Sequence, residues 1–232
     1  VILNSQYGPI WIDKKALIQS GAILKGPLYI GPYSIVRPGA QIMGNVSLGP
    51  HCRVGGEISQ VVIQGYSNKQ HGGYLGTSYI GEWVNLGAGT DNSDLKNNYR
   101  PISVNLYTFP EQESGAQSLN WEILNSNSIH LGVFIGDYTR TAIGTRLNSG
   151  GILGTCCHIL SPDFPQKTLP PFSWVTNEGL EIYHWEKAID TIGVIMSRRG
   201  KILTPLRNSA LAQLYRTSQT FWNTFRKSSN DK

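Results

Sequence analysis

Between Asn68 and Arg100 the chain reads NKQHGGYLGTSYIGEWVNLGAGTDNSDLKNNYR, which gathers a base, hydrogen-bond donors and anion binders into one stretch. His71 and Tyr74 flank a Gly-Gly pair, Asn85 and Ala88 follow, and Lys96 and Arg100 close the run. An imidazole, with an ordinary pKa near ~6.5, accepts a proton at neutral pH without carrying permanent charge. Amide and phenol groups orient a substrate, while ammonium and guanidinium groups hold an anion. The chemistry implied is that of a small-molecule site, provided a scaffold brings these groups into register.

That scaffold is written in the preceding residues. From Ile12 an apolar residue recurs every six positions through Ile18, Leu24, Ile30, Val36, Ile42, Leu48 and Val54. Small or modest residues follow at an offset of four: Ala16, Ala22, Leu28, Ser34, Ala40, Val46 and Cys52. A period of six fits neither the 3.6 of a helix nor simple strand alternation. It fits short strands joined by turns and wound into a coil, with equivalent residues stacked in one internal column. The fold class is therefore an all-β solenoid, a parallel β-helix of hexapeptide repeats. Each buried apolar rung contributes roughly 1.5–3 kcal/mol.

The period stumbles over about 57–74, where the His71 stretch reads as a loop leaving the coil, and again over about 91–128. Within the second insert, Pro110 to Gly115 reads as a turn. Rungs resume at Ile80 and Leu86 between the inserts, and at Ile129, Ile135, Thr141, Leu147, Leu153 and Ile159 after them. The coil is expected to end near Pro162, with an extended Pro-rich linker to Pro171 and a last strand over 172–176. This gives a solenoid domain at 1–176 and a helical tail at 177–232. In the tail, Trp185, Ile189, Ile192 and Met196 lie on one helical stripe that Gly200 terminates, and Thr204-Pro205 opens a second helix. Arg198, Arg199, Arg207 and Arg216 are expected on the solvated face opposite the stripe.

Composition limits the function classes. The formal charge of +5 sits in the tail: residues 196–232 hold eight Lys/Arg and one acid, while residues 1–195 hold twelve bases and fourteen acids. A basic stripe on the folded body is thus missing, which argues against nucleic-acid binding. The apolar opening Val1-Ile2-Leu3 is too short for a membrane span, and the missing initiator Met suggests an excised domain. Cys52, Cys156 and Cys157 cannot all pair, so a reducing cytoplasm is the expected setting. His51, His130, His158 and His184 show no spacing for a three-His metal site.

His71-Gly72-Gly73-Tyr74-Leu75-Gly76 followed by Ile80-Gly81-Glu82-Trp83-Val84-Asn85-Leu86-Gly87-Ala88-Gly89-Thr90 resembles the acetyltransferase domain of the bifunctional GlmU-type enzymes of UDP-N-acetylglucosamine biosynthesis. The likeness extends more loosely over about 8–176, and Met196-Ser197-Arg198-Arg199-Gly200 resembles a variant bacterial branch. The resemblance implies a left-handed coil of triangular section, a homotrimer and acetyl-CoA as co-substrate, with no metal needed for acetyl transfer. It implies His71 as general base on the C2 amine of glucosamine 1-phosphate. Tyr74 and Asn85 would bind the sugar and phosphate, and Ala88 would lie near the acetyl-CoA end. Arg37 would bind phosphate, and Glu57 would orient the base. Where the family has a Lys two residues after that Glu, this chain has Ser59, and the basic residue near the end of the excursion is Arg100 in place of Lys, with Lys96 and Lys69 as candidate substitutes. The uridylyltransferase half is absent from these residues and would lie upstream. The competing expectation is a non-catalytic oligomerisation or ligand-sensing module of a sugar-phosphate nucleotidyltransferase.

Overall fold

A computed structural model describes residues 1–108, 120–161 and 163–230. The chain forms a left-handed parallel β-solenoid of three faces, followed by two helices. The first face stacks Ile2–Asn4, Ile23–Lys25, Gln41–Met43 and the beginnings of the long strands Glu57–Ile63 and Tyr74–Ile80. The second stacks Ile10–Ile12, Leu28–Ile30 and Val46–Leu48 under the ends of those long strands, then Val133–Ile135, Gly151–Leu153 and Thr168–Leu169. The third runs from Leu17–Ile18 through Ile35–Val36, Arg53–Val54 and Asn68–Lys69. Bridges at Asn85 carry it on to Arg140–Thr141, His158–Ile159 and Ser173–Thr176.

The six-residue period places Leu24, Ile30, Val36, Ile42, Leu48 and Val54 inside with no exposed surface. Ile12, at the open lower end, is 37% exposed. Between faces, turns put non-glycine residues in the left-handed region, and along one corner their rings stack. Tyr33 lies on His51 at 4.9 Å, His51 on Tyr66 at 4.7 Å, and Tyr66 on Trp83 at 4.3 Å. Ring stacking offsets the backbone cost of those positive φ angles.

The first expected insert is not a loop that leaves the coil. Residues 57–63 and 68–69 are rungs, but the coil contracts: Val36 pairs with Val54, eighteen residues on, whereas Val54 pairs with Lys69, only fifteen on. The inward position there is held by Lys69 instead of an aliphatic side chain, which hid the rung from its hydrophobic pattern. The second insert is an excursion carrying an antiparallel hairpin, Ser103–Thr108 with Asn120–Asn125; the turn expected at 110–115 lies outside the described residues. The coil also continues past the expected stop near 162, because Thr168–Leu169 pairs within the second face, and Gly179–Ile182 folds back on Ser173–Thr176.

Helix α1 (Trp185–Ser197) buries Ala188, Ile192 and Met196 against the upper end of the aromatic corner, beside Trp83, Tyr138 and Phe172. Gly200, at φ 63°, closes it, with the Lys201 N–H bonded to the Met196 carbonyl at 3.0 Å. Helix α2 (Pro205–Asn230) starts where the Thr204 hydroxyl accepts the Arg207 N–H at 3.3 Å. Among the described residues, no helix is long and apolar enough to cross a membrane. All three cysteines are free and buried.

Candidate functional site

Residues 70–73 turn the chain from the third face to the first and carry His71 at the corner. The turn is braced from inside. The Lys69 ammonium donates to the carbonyls of Gly55 (3.1 Å), His71 (3.1 Å) and Gly73 (2.7 Å), so the backbone on both sides of the imidazole is pinned. Burial lowers the Lys69 pKa to about 8, with Asp91 acting in the opposite direction. Lys69 is 3% exposed and its donors are committed, so it does not replace the missing family lysine as a phosphate binder. Gly73 sits at φ 116° with the Thr90 carbonyl 2.3 Å from where a Cβ would stand, so glycine is required there.

The imidazole of His71 is exposed. Directly above it on the same corner, the Gly89 N–H bonds the Gly72 carbonyl at 3.1 Å, which places Ala88 in the adjoining turn. Space beside Gly72 and Gly144 is open, so a substrate chain can run along this corner past Ala88. Below the loop, Gly55 and Gly56 are covered closely by the turn: the Gln70 carbonyl oxygen is 2.4 Å from where a Gly55 Cβ would stand, the Gly73 carbonyl oxygen 2.6 Å from that of Gly56, and the Arg37 Cβ is 3.2 Å from the Gly55 position. Arg37 thus lies two rungs beneath the His71 turn, roughly 10 Å away at about 4.8 Å per rung. Glu57 is exposed and pairs in register with Tyr74, around the corner on the first face.

Tyr74 is committed elsewhere. Its hydroxyl donates to Asp94 Oδ2 at 3.0 Å, while its N–H bonds Asp91 Oδ1 at 2.5 Å. Burial, with the Asp94 bond next, pushes the Tyr74 phenol well above its ordinary value, so it remains a donor. Asn85 is on the third face, its amide oxygen accepting from Asn68 Nδ2 at 3.4 Å. His71, Glu57, Arg37 and Ala88 therefore surround one corner, with Tyr74 and Asn85 on the two faces that meet there. Lys96 and Arg100 belong to the hairpin excursion. The Lys96 ammonium donates to the Pro101 carbonyl at 3.1 Å, and Arg100 is exposed, its N–H on Asn98 Oδ1 at 3.2 Å.

Of the tail arginines expected on the solvated face, Arg198 and Arg216 are exposed, whereas Arg199 and Arg207 are half-buried against the coil. Arg207 pairs with Glu82 at 2.8 Å, and Arg199 Nη2 donates to Asn68 Oδ1 at 3.0 Å. Arg198 and Arg199 line a cavity of about 340 Å³ on the third face with Arg53, Asn68, Gln70, Asn85 and Arg140. Sequence reading missed Arg53 and Arg140. Their only signal was an outward position one residue before an inward rung residue, in Arg53-Val54 and Arg140-Thr141. A second, apolar cavity of about 430 Å³ lies between the second face and α2, and it offers no acid or base other than the Tyr79 phenol. Neither a family model nor a curated protein matches this chain.

Proposed function

We propose that the chain is an acetyl-CoA-dependent N-acetyltransferase acting on an amino-sugar phosphate, glucosamine 1-phosphate by resemblance, with His71 as general base. The observation that carries this reading is the corner itself. An exposed imidazole is held on a turn clamped by Lys69 and packed closely on Gly55 and Gly56, with Arg37 two rungs below and Glu57 beside it. A rigid presentation of this kind is what proximity catalysis requires, because the thioester is already activated.

In the step proposed, the sugar amine attacks the thioester carbonyl, the C–N bond forms and the C–S bond breaks. His71 takes the proton released from nitrogen and returns it to the departing thiolate. Arg37 holds the phosphate through its guanidinium fork, and Asn85 bonds the sugar from the adjoining face. Ala88 borders the path of the acyl donor. Trp11, 67% exposed, and Tyr33, 42% exposed, favour packing of prism against prism, the arrangement a homotrimer would use. An upstream nucleotidyltransferase domain belongs to the same proposal.

The test is thiol release from acetyl-CoA with glucosamine 1-phosphate. His71→Ala should lower the rate by roughly 10²–10⁴-fold. Undiminished turnover in that variant removes His71 as the base. A wild-type protein inert toward every amino sugar tried supports the oligomerisation or ligand-sensing module instead.

A further inference from the structure

Four guanidinium groups converge on the third-face cavity. Arg53 and Arg140 come from the coil, on one outward column that runs Arg53, Asn68, Asn85, Arg140 in parallel register. Three rungs separate the two arginines, roughly 14 Å at about 4.8 Å each, and the two asparagines lie between them. Arg198 and Arg199, at the end of α1, complete the lining with Gln70, Tyr66, Trp83 and Ile195.

The lining contains no carboxylate. Among the described residues the ion pairs are Arg146 with Asp163 and Arg207 with Glu82, and neither involves these four arginines. The acceptor recorded for the group is neutral, the Asn68 amide oxygen that receives Arg199. Burial and then Arg198 lower the Arg140 pKa; burial, Arg53 and Arg198 do so for Arg199. The indole N–H of Trp83, on the same wall, is buried without an acceptor among the described residues. A partly desolvated cluster of like charges costs stability unless a counter-charge occupies it. Its volume falls within the range of about 300–1,000 Å³ common to small-ligand sites.

We propose that this cavity binds the phosphate groups of a multiply charged phosphate ester or diphosphate, with Arg53 and Arg140 gripping its two ends and Arg198 and Arg199 closing over it from α1. The site is built from the coil and the tail together, so ligand binding fastens α1 onto the third face. The claim rests on the cavity and not on acetyl transfer. Under the acetyl-transfer reading two sources supply this chemistry: the acceptor sugar phosphate, which would reach in past Gln70 beside His71, or the phosphates of the acyl donor.

Inorganic pyrophosphate is the direct probe, read by titration calorimetry and by the rise in Tm. Wild type should bind it, with binding weakened by added salt. The double variant Arg140→Gln/Arg199→Gln should bind at least tenfold more weakly, while Arg216→Gln, which alters an arginine outside the cavity, should bind as wild type. The unliganded double variant should melt at the wild-type temperature or above it, because repulsion has been relieved. A purely structural role for these arginines predicts a lower Tm. Displacement of pyrophosphate by glucosamine 1-phosphate assigns the site to the acceptor, displacement by coenzyme A assigns it to the donor, and either supports the proposal. Wild-type binding no tighter than that of the double variant, or an unliganded double variant that melts well below wild type, overturns it. Both readouts are independent of turnover, so failure of the acetyl-transfer reading would leave this result standing.

Discussion

The lower coils and the middle coils follow the same path but fill it differently. From Leu24 to Val54 every large inward position is aliphatic and fully buried. From Lys69 to Thr141 the inward positions include polar groups, Lys69 and Thr141 on the third face and Asn92 beside the first-face strand at Gly76. These polar groups replace dispersion with hydrogen bonds to the backbone. Lys69 caps three carbonyls, and Asn92 pairs with the N–H and carbonyl of Gly76 at 2.8 and 3.0 Å, as a neighbouring strand would. Thr141 Oγ1 accepts the Gly87 N–H at 2.9 Å. The lower coils rely chiefly on apolar stacking, with the Ser34 hydroxyl donating to the Gly49 carbonyl and accepting the Cys52 N–H at 2.8 and 2.9 Å, whereas the middle coils use several interior polar groups to fix loops whose outer surfaces carry His71 and the arginine cavity.

The largest effect should come from the aliphatic column. Ile42→Ala removes a fully buried side chain between Leu24 and Ile58, and the rigid rungs cannot close the gap. The expected loss is about 2–5 kcal/mol by denaturant unfolding. A cost below about 1 kcal/mol would mean that the lower coils are held by their turns and not by their interior.

Lys69→Met makes the contrasting change, swapping a polar interior group for an apolar one. It should cost about 2–3 kcal/mol at pH 7, because the carbonyls that Lys69 caps lose a charged donor. The pH dependence separates this from a packing defect. Burial holds the folded pKa at about 8, below the ordinary lysine value of 10.5, so the native state sheds this proton first. The unfolded chain binds more protons between those values, and stability from this group rises as pH climbs through the window. The wild-type advantage over Lys69→Met should therefore widen between pH 8 and 10.5, by up to about 3 kcal/mol at roughly 1.4 kcal/mol per unit. A gap that stays flat or narrows would show that Lys69 is not a desolvated cation in the native state.

The same contrast explains what the sequence revealed. The six-residue spacing from Ile12 to Val54 was readable because its interior is aliphatic, and Gly200 and Thr204 marked helix ends by local chemistry. The His71 turn was readable as a chemical motif but misread as a departing loop, since Lys69 interrupts the apolar period and the coil shortens by three residues there. The arginine cavity was invisible in one dimension. Arg53 and Arg199 are separated by most of the chain, and only the docking of α1 on the third face joins them. A sequence pattern records the period of a column, not which surface residues a tail will cover.

The smallest effect concerns how that tail is held. Glu82 and Arg207 meet at 2.8 Å with side chains 29% and 39% exposed, so the pair is partly hydrated and screened. Glu82→Gln should cost less than about 1 kcal/mol, and a double-mutant cycle with Arg207→Met should give a coupling of about 0.2–1 kcal/mol that shrinks in high salt. The larger contribution should come from Met196, Leu211 and Trp222, which are buried where the helices meet the coil. A salt-insensitive coupling above about 3 kcal/mol would reverse that ranking, making the ion pair the clasp on which the order of α1, and with it the closing of Arg198 and Arg199 over the cavity, depends.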